Sequence, residues 1–304
     1  MEMHLSNAET LLHALYTIEN AMENMPMLPD RHLLRIGADV VEAYNIQDFI
    51  AVRKASGIAS LGCLGSQCII NTQIQGRSGS LVFFTEDSKY AIKAIRKSEF
   101  SCIRQMAPDY SKYIQQNPNS LLCRILGCYS LKTRTSTEYL IIMKNIVEGC
   151  LTSDVKHAGE VYDLKGVNVC REGQSIQNLK EANWIKNNKR IDIYGSRAVL
   201  VSQMKNDLLF LNKHNVMDYS LLVCFKPVPT TTEYGGPCLQ NAENQTQHAS
   251  DVHFGIIDIL TQWNLRKRTE RLLNVLCCNS SSSCIDPDAY MIRFLAMVES
   301  DFLW

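Results

Sequence analysis

A glycine-rich stretch, Gly76-Arg77-Ser78-Gly79-Ser80, precedes Lys93, which closes the strand-like run Tyr90-Ala91-Ile92-Lys93. Glycines let a backbone approach an anion closely, and successive N–H groups can cradle it. An antiparallel return would bring the lysine ammonium back beside that cradle. Glycines at this spacing alone read as a hairpin turn, and the strand lysine is what points to phosphate. Two carboxylates extend the set. Asp258 follows Phe254-Gly255-Ile256-Ile257, so a charge ends an apolar strand and calls for a cation or a helix to cap. Asp218 lies in His214-Asn215-Val216-Met217-Asp218-Tyr219, between a long helical pattern and a strand, where an isolated aspartate reads as an ordinary turn residue. Together the four features are those phosphoryl transfer requires: amides over the phosphates, a cation, a carboxylate for Mg²⁺, and a group to take the nucleophile's proton.

The elements that must hold these residues follow from periodicity. Helical patterns fill the N-terminal region 1–65, with Leu11, Leu12, Leu15 and Ile18 in one and Val40, Val41, Tyr44 and Phe49 in another. Strands are expected at Leu81–Thr85 and Tyr90–Ile95, turning at Glu86-Asp87-Ser88, with a helix from Lys97 to about Met106. Two further strands, Ile125–Leu131 and Tyr139–Lys144, complete an N-lobe over 66–150. The C-lobe, 151–304, holds a strand at Val161–Gly166 and a helix at Ser196–Lys213 with Val199, Leu200, Met204, Leu208, Leu209 and Leu211 as its apolar set. Strands at Tyr219–Phe225 and Phe254–Leu260 flank a polar loop from Lys226 to Asp251, and a last helix starts near Asp286 or Pro287.

Composition narrows the class. The chain is 46% hydrophobic and 20% charged over 304 residues, ordinary for a globular protein with sizeable cores. Lys+Arg and Asp+Glu are both 31, so net charge offers nothing to nucleic acid, and none is expected as partner. No apolar run has the eighteen or so residues a membrane span needs, and the acidic, amphipathic start does not resemble a secretory signal. Twelve scattered cysteines without a repeated C-x-x-C are expected to be reduced, buried thiols in the cytoplasm. Cys277, Cys278 and Cys284 lack a nearby histidine and make a poor metal site.

Met217-Asp218-Tyr219-Ser220-Leu221-Leu222, Asp163-Leu164-Lys165-Gly166 and Gly255-Ile256-Ile257-Asp258-Ile259-Leu260 resemble the signatures of the phosphatidylinositol phosphate kinases, in that family's order. The resemblance runs from about Leu33 to the C-terminus, and the chain is most similar to the phosphatidylinositol 4-phosphate 5-kinases. It has none of the His-Arg-Asp, Asp-Phe-Gly or Ala-Pro-Glu stretches of protein kinases. The implied fold is α+β and two-lobed: an antiparallel sheet with helices in the N-lobe, a smaller mixed sheet with helices in the C-lobe. The implied cofactors are ATP and Mg²⁺. Gly76, Ser78, Gly79, Ser80 and Lys93 would hold the nucleotide phosphates, Asn145 would mark the adenine end, and Asp258 would bind the metal. Asp218 would orient or deprotonate the inositol hydroxyl, Lys165 would lie near the phosphates or the head group, and Glu99 could pair with Lys93.

Substrate choice is read from the segment after Asp258. Lys267-Arg268-Thr269-Glu270 has the glutamate of the 5-kinases where the 5-phosphate 4-kinases have alanine; a solvated helix with an Arg266–Glu270 pair is the plainer reading. Arg266, Lys267, Arg268 and Arg271 beside Leu272, Leu273, Val275 and Leu276 suit an anionic, phosphoinositide-bearing cytosolic membrane face, or equally a helix packed on the protein body. Two stretches depart from the family. Asp-Leu-Lys-Gly is followed by Val167-Asn168-Val169-Cys170 rather than serine and a basic run, and Asn183 stands where an aspartate is usual. Two alternatives remain: a 4-kinase, and a weakly active scaffold that forms homodimers through its N-terminal region.

Overall fold

The computed structural model describes residues 10–15, 17–18, 30–58, 61, 69–70, 82–148, 150, 159–167, 171–191, 196–226, 252–263 and 286–302. Residues 10–15 and 17–18 are helical and bury Leu11, Leu12, Leu15 and Ile18, as their spacing predicts. The second helical reading is corrected. Val40, Val41 and Tyr44 belong to a hairpin, β1 (Arg31–Ile36) and β2 (Asp39–Tyr44), closed by Gly37 at φ 59°. β-branched valines favour the strand, burial alternates from Val40 to Ala43, and glycine supplies the positive φ of a two-residue turn. The helix α1 begins only at Ile46 (Ile46–Ala55) and buries Ile46, Phe49 and Val52.

The strands β3 (Ile69–Ile70), β4 (Val82–Thr85), β5 (Tyr90–Ile95), β6 (Ile125–Lys132) and β7 (Thr137–Lys144) join that hairpin in a seven-stranded sheet, ordered β1-β2-β6-β7-β5-β4-β3. Every pairing in it is antiparallel. Against the sheet lies α2 (Lys97–Gln116), which runs well past the expected end at Met106. Pro108 removes one intrahelical hydrogen bond and costs about 3 kcal/mol in an isolated helix. The buried stripe Cys102, Ile103, Met106, Tyr110 and Ile114 continues straight across it, and burial at about 1.5–3 kcal/mol per large side chain outweighs the loss.

The second sheet has β9 (Ser220–Phe225) between β8 (Glu160–Leu164) and β10 (Val252–Ile257), antiparallel throughout. Parallel bridges Leu122↔Ile256 and Tyr162↔Leu179 extend it at both edges and make it mixed. Around it lie α3 (Glu181–Lys186), α4 (Arg197–Lys213) and α5 (Pro287–Met297). Asp286 caps α5 by accepting from Ala289 N at 3.0 Å, with Pro287 in the first turn. In α4, Met204, Leu208 and Leu211 are buried as expected, whereas Val199 is 70% exposed and Leu209 48%. Among the described residues no helix is long and apolar enough to cross a membrane.

Two features join the sheets. The chain passes from β7 to β8, and Ile256 in β10 donates to Leu121 O and accepts from Cys123 N, both at 2.8 Å. Beside that seam the fully buried Asp207 of α4 accepts from Tyr113 OH in α2 and from Leu121 N, each at 2.6 Å. Burial raises the Asp207 carboxyl above its ordinary range, and these donors oppose the shift. Cys102, Cys123 and Cys128 are free and buried, as composition suggests, but Cys150 and Cys224 form a disulfide. Sequence spacing does not reveal that pair because its partners meet only through the β8–β9 pairing, at a separation of 74 residues.

Candidate active site

Lys93 lies in β5 opposite Val82, at the start of β4. Its side chain is 14% exposed, and Nζ donates to Asp258 Oδ1 at 2.5 Å. Burial alone would lower the Lys93 ammonium, but Asp258 more than compensates and raises it. Asp258 shows the mirror balance: burial opposes its charge, yet Lys93, then Lys165, hold its carboxyl below the ordinary range. The residue follows the last one of β10 and has φ 62°, a left-handed backbone that non-glycine residues seldom adopt.

Asp218 has the same unusual backbone, φ 65°. Its loop is braced against the one that follows Asp258: Met217 N donates to Thr261 O and Trp263 N to Asn215 O, both at 2.8 Å. Strain of this kind persists where the surroundings over-determine it, and such positions cluster at functional sites. From the other side, Tyr290 of α5 donates to Tyr219 O at 2.5 Å, with both rings buried. Lys165 Nζ donates to Asp218 O at 2.5 Å and to Oδ1 at 2.9 Å, so it fixes the carboxylate's direction. Lys165 is placed by Gly166, at φ 66°, where a Cβ would stand 3.2 Å from Met297 Cβ and 3.3 Å from Arg293 O of α5.

A third charged group adjoins these. Asp163 in β8 accepts from Lys180 Nζ, and Arg171 bridges Glu181 Oε2 at 2.8 Å and Asp163 O at 2.7 Å. Burial disfavours the Asp163 charge, but Lys180, Lys165 and Arg171 hold its carboxyl below the ordinary range. Asn183, at the position of the expected aspartate, accepts from Gly173 N at 2.8 Å and Lys180 N at 2.9 Å. An amide oxygen therefore does what a carboxylate would do there.

Lys93, Asp258, Asp163 and Lys180 line one cavity of about 160 Å³ between the sheets. Val82, Phe84, Ala91, Ile141 and Met143 cover one side, and Val161 and Leu222 the other. Asn145, Ile146 and Val147 close the end at the inter-sheet connection. The Asn145 side chain is committed to the protein, donating to Ser88 O at 2.7 Å and accepting from Val147 N at 3.0 Å. Its neighbours Ile146 and Val147 supply the wall.

Lys93, Asp258 and Asn145 line the cavity, and the Lys165–Asp218 pair lies near enough for Lys165 to act on the Asp258 carboxyl. Glu99 also lines the cavity, yet its carboxylate is clasped by Arg96 N at 2.8 Å and Arg96 Nε at 3.1 Å, so Lys93 takes Asp258 instead. Gly76, Ser78, Gly79 and Ser80 lie outside the described residues, as do Arg266, Lys267, Arg268, Glu270 and Arg271, the Cys277–Cys284 cluster and most of the 226–251 loop. Lys180 and Asp163 are charged cavity residues that received no role from the sequence; Asp163 stands in the Asp163-Leu164-Lys165-Gly166 signature, whereas Lys180 lies outside any such stretch. No local signal marks Lys180, because it reaches the cavity only through the Tyr162↔Leu179 bridge.

A cavity between an antiparallel sheet with its packed helix and a smaller sheet, entered by lysine–aspartate pairs from both sides, defines the two-lobed kinase fold. Within that class the chain belongs to the family described as Phosphatidylinositol-4-phosphate 5-Kinase, whose model matches residues 63–249 and 229–301. It is similar to the phosphatidylinositol 4-phosphate 5-kinase of Plasmodium falciparum, 26% identical over 84% of this chain and 18% of the relative. The phosphatidylinositol 4-phosphate 5-kinase-like protein 1 of Mus musculus is 28% identical over 73% of this chain and 64% of the relative. The phosphatidylinositol 4-phosphate 5-kinase its3 of Schizosaccharomyces pombe is 31% identical over 49% and 20%. The chain spans less than two thirds of each of these relatives.

Proposed function

We propose that this chain transfers the γ-phosphoryl group of ATP to the inositol ring of a phosphatidylinositol monophosphate, converting the 4-phosphate to the 4,5-bisphosphate. The observation that carries the reading is the convergence of the Lys93–Asp258 and Lys165–Asp218 pairs in one site, 2.5 and 2.9 Å across. Family membership and the relatives' names support the lipid acceptor. Adenine fits the apolar end beside Ile146 and Val147, with the phosphates toward Lys93.

The residues present fit Mg²⁺. Among the described residues there is no cluster of three or more His, Cys, Asp or Glu side chains, so a protein-only cage is absent. Mg²⁺ is commonly held by one or two carboxylates together with substrate phosphates, and Asp258, 37% exposed, offers its second oxygen. Bound there, the ion would neutralise charge on the phosphates. Lys93 holds phosphate oxygens in this reading. Asp218, aimed by Lys165, accepts the hydrogen bond of the attacking ring hydroxyl and takes its proton. The basic run Arg266–Arg268 is assigned to the anionic cytosolic membrane face and Glu270 to selection of the 5-hydroxyl.

Purified protein with Mg²⁺-ATP and vesicles bearing phosphatidylinositol 4-phosphate should form the bisphosphate, and Asp258→Ala should not. Equal turnover by the variant removes the reading. A preference for 5-phosphate vesicles would instead make the chain a 4-kinase, and absence of both products with intact nucleotide binding would leave a scaffold. Light scattering tests homodimerisation through the N-terminal region, which a monomer would refute.

A further inference from the structure

We propose that Lys180 is a second phosphate-binding lysine of the cavity, gripping the phosphate chain of a bound nucleotide from the side opposite Lys93. The inference rests on the nucleotide reading above and adds a residue to it. Lys180 lines the same cavity as Lys93 and Asp258, and its partner Asp163 is near enough to Asp258 to act on that carboxyl, so the charged lining is gathered together, whereas Val82, Phe84, Ile146 and Val147 of the lining are apolar. A base and its phosphates divide between those two kinds of lining.

The lysine is held for binding. Leu179 N donates to Val161 O at 2.8 Å and accepts at its own carbonyl from Asp163 N at 2.9 Å, pinning the segment to β8. Lys180 N donates to Asn183 Oδ1 at 2.9 Å. The side chain donates to Asp163 Oδ2, whose charge Lys165 and Arg171 also support. An ammonium has three donors. Among the described residues only Asp163 accepts one of them, so Lys180 keeps donors for an incoming oxyanion. Lys165 differs, since it already makes two bonds to Asp218. Lys165 is therefore the positioning residue of the proton acceptor, and Lys180 supplies the second cation on the phosphates.

The test is a set of thermal-shift titrations of the full chain with Mg²⁺-ADP, adenosine and soluble inositol 1,4-bisphosphate. Lys180→Gln should weaken Mg²⁺-ADP about tenfold or more, the size of one charge-assisted hydrogen bond, and leave adenosine unchanged. Lys180→Arg, which keeps the pair with Asp163, should stay within about threefold of wild type. The double variant Lys180→Gln with Asp163→Asn leaves no unpaired carboxylate and should show the same selective loss. Undiminished Mg²⁺-ADP binding by Lys180→Gln refutes the proposal, as does an equal loss of adenosine. A loss confined to the inositol phosphate assigns the lysine to the acceptor and refutes it too. A wild type that ignores Mg²⁺-ADP overturns the nucleotide reading itself, a result visible before any variant is made.

Discussion

Gly166→Ala isolates how the fold aims Lys165. Gly166 has φ +66°, and Gly37, in the β1–β2 turn, has φ +59° with nothing within 4 Å of an added Cβ. Both substitutions impose a left-handed backbone on alanine, at about 1–2 kcal/mol, less about 0.4–1 kcal/mol from the stiffer unfolded chain. Only at Gly166 does the new methyl press on α5, 3.2 Å from Met297 Cβ and 3.3 Å from Arg293 O. Relieving that contact adds about 1 kcal/mol or more. Gly37→Ala should therefore cost about 1 kcal/mol and Gly166→Ala about 2 kcal/mol, each kcal/mol lowering Tm by about 2–4 °C. The second outcome separates the two further. A shift between Lys165 and α5 moves the bonds to Asp218 O and Oδ1, so kcat should fall about tenfold or more in Gly166→Ala and stay at wild type in Gly37→Ala. Melts and lipid-kinase rates on both variants decide it. Equal Tm losses with equal, unchanged kcat would show that Gly166 has no part in aiming Lys165.

Asn183→Asp should change stability by less than about 1 kcal/mol, since the acceptor to Gly173 N and Lys180 N remains, whereas Asn183→Ala should cost about 1–2 kcal/mol in a melt. The Asp163 and Asp258 carboxyls are held below their ordinary range, so the unfolded chain binds more protons at acid pH. Their contribution should be complete above about pH 5 and lost as pH falls through the folded values; Asp163→Asn should flatten the Tm–pH curve there, and an unchanged curve would contradict the assignment. Reducing Cys150–Cys224, a 74-residue closure, should lower stability by about 2–4 kcal/mol, read by melts with and without dithiothreitol.

The parts of the site legible in the sequence were those that a strand or turn pattern presents locally. Asp258 ends an apolar run, Asp218 follows a long helix, and Lys93 lies on the second strand of a hairpin, opposite Val82. What escaped depended on contacts between distant segments. Val40 and Val41 suit either period, and only pairing with β1 and β6 makes them strand. The helix from Lys97 runs past its expected end near Met106 because tertiary burial on either side of Pro108 outweighs the cost of the proline. Lys180 and the Cys150–Cys224 pair become visible only once β8 and β9 are side by side. The Glu99–Lys93 pairing was expected by analogy, and Arg96, three residues before Glu99, had the shorter reach.

The seam at Ile256 has a mechanical consequence. Ile256 is bonded to Leu121 and Cys123 two residues before Asp258, and Asp207 bonds Tyr113 and Leu121 beside them. The back of the cavity is therefore fastened at several neighbouring points rather than at one. Asp258 is thus located relative to the first sheet by backbone hydrogen bonds as well as by its own ion pair with Lys93, so loss of that pair removes a charge contact without releasing the strand that carries the carboxylate.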